Sequence, residues 1–377
     1  MANEQQGQAA PPSKTLIERN FQSVNISTSP TSLRDGECAQ LENLIPYAPG
    51  NLAVVPGQLF QSDVPVLSTQ WWATVTGSNI LYYSNDLVTW NTTTRTPNVS
   101  SSSKMAPLGT GPGKAVIFSN GTNNDEVITN FGFPIVPTLG AAAFKPNVAQ
   151  YYADIDAIIA LQYVGSTSGA TSVWISTDGG GTFTSYALPG PGVAGITRLN
   201  SGRWLTIDGP SVGTSIFRYT DAPLPTTGWI SGASLPSPLN AYSGIASNGV
   251  TAVVLDNVRD AFHTTDGITG ATVTTPIPDH DSVLYNGCAA NGNIFIFGLG
   301  NQPYVMRSAD SGLTWAAQAI PSKVQKPTVM LYGNGTFVLS GFGTTDVPIM
   351  SIDDGLTWTS ISALPSGAQV GLVEFVS

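Results

Sequence analysis

The sequence predicts an all-β protein built from repeated four-stranded sheets, and three observations carry that prediction. The first is a recurring phrase, S-x-D-x-G-x-T-[WF]. It reads Ser308-Ala-Asp310-Ser-Gly312-Leu-Thr314-Trp315, then Ser351-Ile-Asp353-Asp-Gly355-Leu-Thr357-Trp358, and earlier Ser176-Thr-Asp178-Gly-Gly180-Gly-Thr182-Phe183. The second is its period. Asp353 lies 43 residues after Asp310, and weaker copies carry the count back through Asp266, 44 residues before Asp310, and Asp221, 45 before Asp266. Asp178 precedes Asp221 by 43 residues, and Ser84-Asn-Asp86-Leu-Val-Thr89-Trp90, one residue short of the full phrase, lies 92 residues before Asp178. That gap spans two periods and places one degenerate unit near residue 132, inside 128–137. The third observation is that strand-like runs, and no helical pattern of useful length, follow residue 60. A period of about 40–50 residues with several short strands per unit predicts a seven-bladed β-propeller with four-stranded antiparallel blades.

Residues 1–15, rich in Gln, Ala, Pro and Ser, are expected to be disordered. Residues 16–60 are expected to form an extended or β-hairpin arm. Leu41, Asn43 and Ile45 alternate with Gln40, Glu42 and Leu44. That alternation favours a β-hairpin turning at Pro49-Gly50, although Leu41, Leu44 and Ile45 also fit one side of a short helix. The propeller is expected over 61–377. Its last unit is the clearest: Tyr332-Gly-Asn-Gly335 is a hairpin signal before the strand Thr336–Gly341. Val347–Ser351 and Leu356–Ile361 read as the next two strands, with the phrase as the turn between them. The phrase chemistry suits a turn. Asp accepts hydrogen bonds from backbone N–H groups just beyond it, Gly tolerates positive φ, and Trp or Phe buries a large ring between sheets. The chain ends in a strand-like run, Val370–Val376, with no phrase after it. The first unit, from about Gln70, has only its later strands. The terminal strand is therefore expected to complete the first blade, which leaves no open sheet edge.

Composition narrows the function. Only 10% of the 377 residues are charged, with 40 Gly and 27 Pro, and the net charge is −10. Phosphate binding relies on Lys and Arg, so this balance opposes nucleic-acid affinity. The polar start, Met1–Gln8, has no apolar signal core, and no stretch approaches the length of a membrane-spanning helix. Cys38 and Cys288 lie far apart, so a disulfide framework is not expected. The five N-x-[ST] sequons, at Asn25, Asn91, Asn98, Asn120 and Asn334, read as chance in a Ser/Thr/Asn-rich chain.

The phrase resembles the Asp-box (BNR-type) repeat of sialidases, sortilin-type receptors and other propellers. In that family the motif serves structure and lies away from the catalytic face. The resemblance therefore implies structural turn roles for Asp86, Ser176, Asp178, Gly180, Asp221, Asp266, Ser308, Asp310, Gly312, Trp315, Ser351, Asp353, Gly355 and Trp358. Sialidase chemistry needs an arginine cluster with a Tyr–Glu pair. From residue 61 onward the only glutamates are Glu126 and Glu374, and none of Arg95, Arg198, Arg203, Arg218, Arg259 and Arg307 sits in a Phe-Arg-Ile-Pro context. Asp279-His280-Asp281 holds metal-ligating residue types, but adjacent positions converge poorly on one ion and read as a solvated loop. His263, at the start of a weak phrase, reads as a turn residue. The glycine run at 179–181 lies in a strand–strand turn and lacks the following helix of a phosphate cradle. No catalytic residue, metal or cofactor is expected. The adjacent Trp71 and Trp72 fit either a glycan-binding surface or packing between blades.

The N-terminal region resembles that of the tail hub or nozzle proteins of short-tailed phages, on Asp35, Gly36, Glu37, Leu41, Asn43, Pro49, Gly50, Leu52, Pro56 and Gly57. A basic residue often precedes the final Pro-Gly in that family, and this chain has Val55. The resemblance implies that Asp35, Gly36, Leu41, Asn43, Pro46, Gly50, Pro56 and Gly57 belong to a docking or oligomerisation arm. It also implies a homo-hexameric ring in the virion tail, assembled in the host cytoplasm and joined to an upstream tail adaptor. Genomic DNA would pass through such a ring without specific binding, and an acidic lumen would repel it. The expected function is therefore a non-enzymatic virion structural protein. Two other readings stand beside it: a glycan-binding or glycan-cleaving propeller used in adsorption, and an Asp-box assembly factor like those of photosystems.

Overall fold

In the computed structural model, packing divides the chain into two units, Met1–Val66 and Leu67–Ser377. The structure describes short strands within residues 23–54. From 67 to 376 it describes all but 95–106, 119–125, 129–137, 140–145, 164–168, 209–214, 236–243, 256–259, 275–283 and several shorter stretches. In the first unit β1 (Ser23–Val24) pairs in parallel with β2 (Glu37–Cys38). Strands β3 (Leu44–Ala48) and β4 (Asn51–Val54) pair antiparallel, from Leu44 opposite Val54 to Ala48 opposite Asn51. The chain therefore reverses between Ala48 and Asn51, and Leu44 and Ile45 belong to a strand. Of the arm positions, Pro46 lies in β3, and Asp35, Gly36, Leu41, Asn43, Gly50, Pro56 and Gly57 lie outside the described residues.

The second unit is a succession of antiparallel sheets. The first contains β5 (Leu67–Val75), β6 (Ile80–Ser84) and β7 (Asn91–Thr94), and the second β8 (Leu108–Gly109), β9 (Ala115–Ile117), β10 (Glu126–Ile128) and β11 (Thr138–Leu139). Next come β12 (Val148–Tyr152), β13 (Ala157–Tyr163), β14 (Ala170–Ser176) and β15 (Thr184–Ala187). The fourth group is β16 (Val193–Arg198), β17 (Trp204–Asp208), β18 (Ile216–Thr220) and β19 (Ile230–Ser234), joined to the third by a single bridge between Ala170 and Val193. The fifth is β20 (Ile245–Ser247), β21 (Ala252–Leu255), β22 (Asp260–Thr264) and β23 (Ala271–Thr274). The sixth is β24 (Leu284–Asn291), β25 (Ile294–Leu299), β26 (Tyr304–Ser308) and β27 (Ala316–Ala319). The seventh is β28 (Pro327–Gly333), β29 (Thr336–Gly341), β30 (Ile349–Ser351) and β31 (Thr359–Ser360). Strand β32 (Ala368–Val376) then returns to pair antiparallel with β5, from Ala368 opposite Val75 to Val376 opposite Leu67.

Apolar side chains pack each sheet on the next, as in Ile296 and Val305 of the sixth sheet against Phe337 and Leu339 of the seventh. The seventh in turn packs on the first, where Val338 and Ile361 meet Trp71, Ala73 and Val370. Both faces of the inner strands are therefore apolar, which explains runs such as Ala252–Leu255 in which every residue is buried.

Some boundaries differ from the sequence expectation. The last strand of the seventh sheet begins at Thr359, not Leu356, because the backbone of Leu356–Trp358 is held by the phrase. Residues 61–66, expected to open the propeller, lie outside the described residues. Glu126 opens strand β10, and His263, expected in a turn, lies in β22 opposite Val253. Of the range 128–137 expected to hold the degenerate unit, only Ile128 is described, as the end of β10, and the Asp279-His280-Asp281 run lies outside the described residues.

Candidate functional site

Each phrase is a closed hydrogen-bonded turn. In the copy at 308–315 the Ser308 hydroxyl donates to Asp310 Oδ1 at 2.8 Å and accepts from the Gly312 N–H at 2.9 Å. Asp310 Oδ1 accepts from the N–H of Leu313 at 3.1 Å and of Thr314 at 2.8 Å, and Oδ2 from the Thr314 hydroxyl at 2.6 Å. The Trp315 indole donates to the Gly312 carbonyl at 3.0 Å. The copies around Asp178 and Asp353 repeat this pattern at Ser, Gly and Thr. Two copies are one residue shorter. Asp86 and Asp266 accept from backbone N–H groups two and three residues on, Val88 and Thr89 in one, Ile268 and Thr269 in the other. The long form needs two successive positive-φ residues, Ser311 and Gly312 or Asp354 and Gly355. The short form needs one, Leu87 or Gly267.

The phrase glycine also has a packing role, which sequence reasoning missed. A Cβ on Gly180 would lie 2.3 Å from Val116 Cγ2, on Gly312 2.7 Å from Val253 Cγ2, and on Gly355 2.2 Å from Ile296 Cδ1. In each case the apolar partner comes from the second strand of the preceding sheet. The turn therefore seats one sheet on its neighbour as well as joining two strands. Arginines also fasten neighbouring sheets. Arg307 Nε donates to the Asp354 carbonyl of the next sheet at 2.6 Å, and Arg198 pairs with Asp154 of the previous one.

Asp221 departs from the role expected of it. It follows Thr220 directly, whereas the other phrase aspartates stand two residues after their hydroxyl. Its carboxylate instead forms a two-point pair with Arg203, at 2.7 and 2.8 Å. Arg203 also lies 4.5 Å over the Tyr219 ring and donates to the Asp266 carbonyl at 3.0 Å. The Thr220 hydroxyl closes this wider loop by donating to the Thr227 carbonyl at 2.8 Å. The proline-rich insert at 222–225 is the sequence signal for the change.

The phrase carboxylates are held ionised. For Asp353 burial pushes the pKa up. Hydrogen bonds from the Thr357 hydroxyl, the Thr357 N–H and the Ser351 hydroxyl outweigh it and leave the group at about 2. Asp86 is lowered mainly by the N–H groups of Thr89 and Val88. A carboxyl whose folded pKa is depressed stabilises the fold above its unfolded value, about 4. That contribution is lost as pH falls through the folded value. Carbon-detected NMR titration is expected to place the Asp353 midpoint near pH 2, and stability is expected to decline as pH falls from about 4 toward that value. A midpoint at the ordinary value would refute this.

The first strands of six sheets line a central cavity of about 340 Å³, to which Leu108, Gln150, Thr197, Ser247, Cys288 and Tyr332 contribute one residue each. No charged side chain is among its lining residues. Burial pushes the Cys288 thiol up to about 12, so it is a thiol and a poor nucleophile at neutral pH. In a Cys38→Ser background, alkylation of Cys288 at pH 8 is expected to be far slower in the folded than in the unfolded chain. Equal rates would contradict that.

Trp71 and Trp72 do not form a glycan platform: each is only 1% exposed. Trp71 packs between the first and seventh sheets, Trp72 between the first and second. The Trp72 indole donates to Gln70 Oε1 at 2.8 Å. Trp72→Phe is expected to cost about 1–2 kcal/mol, from the lost ring volume and hydrogen bond, measured by urea denaturation. A neutral result would place the ring outside the core. Among the described residues no three His, Cys, Asp or Glu side chains group as metal ligands, and no helix is long and apolar enough to cross a membrane.

No family model matches the chain, and no curated protein matches it. Solved structures do. YCF48 bound to a D1 peptide is 16% identical over 73% of this chain and 87% of that one, with a TM-score of 0.50. YCF48 from Cyanidioschyzon merolae is 14% identical over 72% and 88%, at 0.49. Regucalcin from Agrobacterium tumefaciens, a calcium-binding protein, is 13% identical over 62% and 80%, at 0.44. Identities this low speak to fold alone. Together with the antiparallel sheets, the first of these likenesses, at a TM-score of 0.50, shows that this chain is an all-β, β-propeller-like protein.

Proposed function

We propose that the chain is a structural protein of a short-tailed phage tail, with a closed seven-bladed propeller carried behind an N-terminal docking segment. The observation that carries this reading is the N-terminal run from Asp35 to Gly57, which resembles that of tail hub and nozzle proteins and contains the antiparallel pair Leu44–Ala48 and Asn51–Val54. In this reading the docking segment joins six copies head-to-tail into a ring and links them to the tail adaptor. The propeller supplies a rigid outer body. The groups of four strands and the packing of the seventh sheet on the first support the seven-blade reading. The net charge of −10 suits a ring through which DNA slides without sticking.

Sedimentation velocity of the full chain, alone and with the tail adaptor of a short-tailed phage, tests this. The expected species is a ring six times the 39.3 kDa chain. A strict monomer under both conditions would sink the proposal.

A further inference from the structure

The position just before the phrase threonine is not dictated by the turn, yet it is aliphatic in four copies: Val88, Ile268, Leu313 and Leu356. These side chains are 66%, 46%, 47% and 50% exposed. Their backbones are fixed by the turn; the N–H groups of Val88, Ile268 and Leu313, for instance, are bound by the phrase carboxylates. The side chains are thus presented outward on a rigid frame. The four copies belong to the fifth, sixth, seventh and first sheets, which pack on one another in that order. The same end of these sheets also carries Val250, 60% exposed in the turn before β21, and Ile352, 76% exposed in the last phrase. One exposed aliphatic residue needs no explanation, but recurrence at one phrase position across four successive sheets makes an arc.

The arc has a charge. Its phrases hold Asp86, Asp266, Asp310, Asp353 and Asp354. Two arginines reach these turns through backbone: Arg307 donates to the Asp354 carbonyl and Arg203 to the Asp266 carbonyl, and the charge of Arg203 is paired with Asp221. Hydrogen bonding holds the carboxyls of Asp86, Asp266, Asp310 and Asp353 below the ordinary carboxylate range. A second copy of the same arc would bring like charges together and is disfavoured.

We propose that this arc is a docking surface for a protein segment in which aliphatic side chains alternate with Lys or Arg. Aliphatic side chains of the segment would cover Val88, Ile268, Leu313 and Leu356, and its cations would lie over the aspartates between them. This inference stands apart from the tail reading, since it rests on the propeller end and not on the N-terminal segment.

The test uses the full-length protein and a fluorescently labelled synthetic peptide of repeated Leu-Lys pairs, read by anisotropy. Two further peptides replace Leu by Ser or Lys by Glu. The Leu/Lys peptide is expected to bind, more weakly as salt rises, and the other two to bind at least about tenfold more weakly. Replacing the four residues together, V88T, I268T, L313T and L356T, is expected to weaken binding at least about tenfold with an unchanged melting temperature. Leu313→Thr with Leu356→Thr is a lighter variant should the fourfold change unfold the chain. Equal binding by the variants, or binding of the Glu peptide as tight as that of the Lys peptide, would overturn the proposal. So would self-association of the native protein that the variants abolish, because the occupant would then be a second copy.

Discussion

Removing residues 368–377 is expected to abolish cooperative folding of the propeller-like unit. Strand β32 is the inner strand of the first sheet and pairs with β5 along its whole length. It contributes Ala368, Val370 and Val373, all fully buried, and its Val370 N–H donates to the Ser340 hydroxyl of the seventh sheet at 3.2 Å. Its loss would also uncover Trp71 and Trp72 on either side of β5. Each large apolar side chain that loses its cover forfeits about 1.5–3 kcal/mol. Four such side chains approach the whole net stability of a domain, about 5–15 kcal/mol. The cut would further leave β5 as an open apolar edge, which promotes aggregation. Circular dichroism melting and size-exclusion chromatography of the truncated chain test this. A cooperative melt within a few degrees of the intact protein, in a soluble monomer, would show that the seam between the first and last sheets carries little of the fold. A synthetic peptide of residues 368–377 is expected to restore the melt, since the missing strand supplies register as well as area.

The sequence made the turns legible and left the seams obscure, for a physical reason. A turn is a local object. Asn334 and Gly335 take φ of 48° and 73° between strands that pair from Gly333 opposite Thr336, and the dipeptide alone announces this. The phrases are equally local, because nearly every hydrogen bond in them joins residues within four positions. Contacts between sheets join residues tens of positions apart. Nothing adjacent to Gly355 shows that it rests on Ile296, and nothing adjacent to Trp71 shows that the seventh sheet covers it. Asp221 misled for the opposite reason: its spacing to neighbouring phrases is right, but one missing residue before it moves the carboxylate off the turn and onto Arg203. The exposed aliphatic position was visible by aligning the phrases. Its meaning needed the exposure of those side chains, which the sequence does not supply.

The glycines allow space and backbone conformation to be separated by experiment. Gly371 has no positive φ, so a side chain there is excluded only by its surroundings. A Cβ would lie 1.7 Å from the Pro107 carbonyl oxygen and 2.7 Å from its carbon. That neighbour is backbone at the start of the second sheet and cannot swing aside like a side-chain tip. Gly371→Ala must therefore push the first and second sheets apart, opening the seam where Trp72, Leu81 and Val373 meet Ala115, Ile117 and Ile128. Overpacking of a close-packed interior costs about 1–3 kcal/mol when side chains can adjust. Here backbone must move, so a loss of about 3 kcal/mol or more is expected. Gly355 combines both effects: φ is 82°, and the Cβ would meet the terminal Cδ1 of Ile296, which can rotate away. Strain of about 1–2 kcal/mol and a displaced rotamer give a smaller loss, about 2–3 kcal/mol. Gly335 isolates backbone conformation, with φ of 73° and nothing within 4 Å, and Gly335→Ala is expected to cost about 1–2 kcal/mol. Urea denaturation of the three alanine variants should rank them Gly371, Gly355, Gly335 in decreasing loss. If Gly335→Ala proved the most damaging, backbone conformation would outweigh the seams, and the close seating of sheet on sheet would not be what holds this fold together.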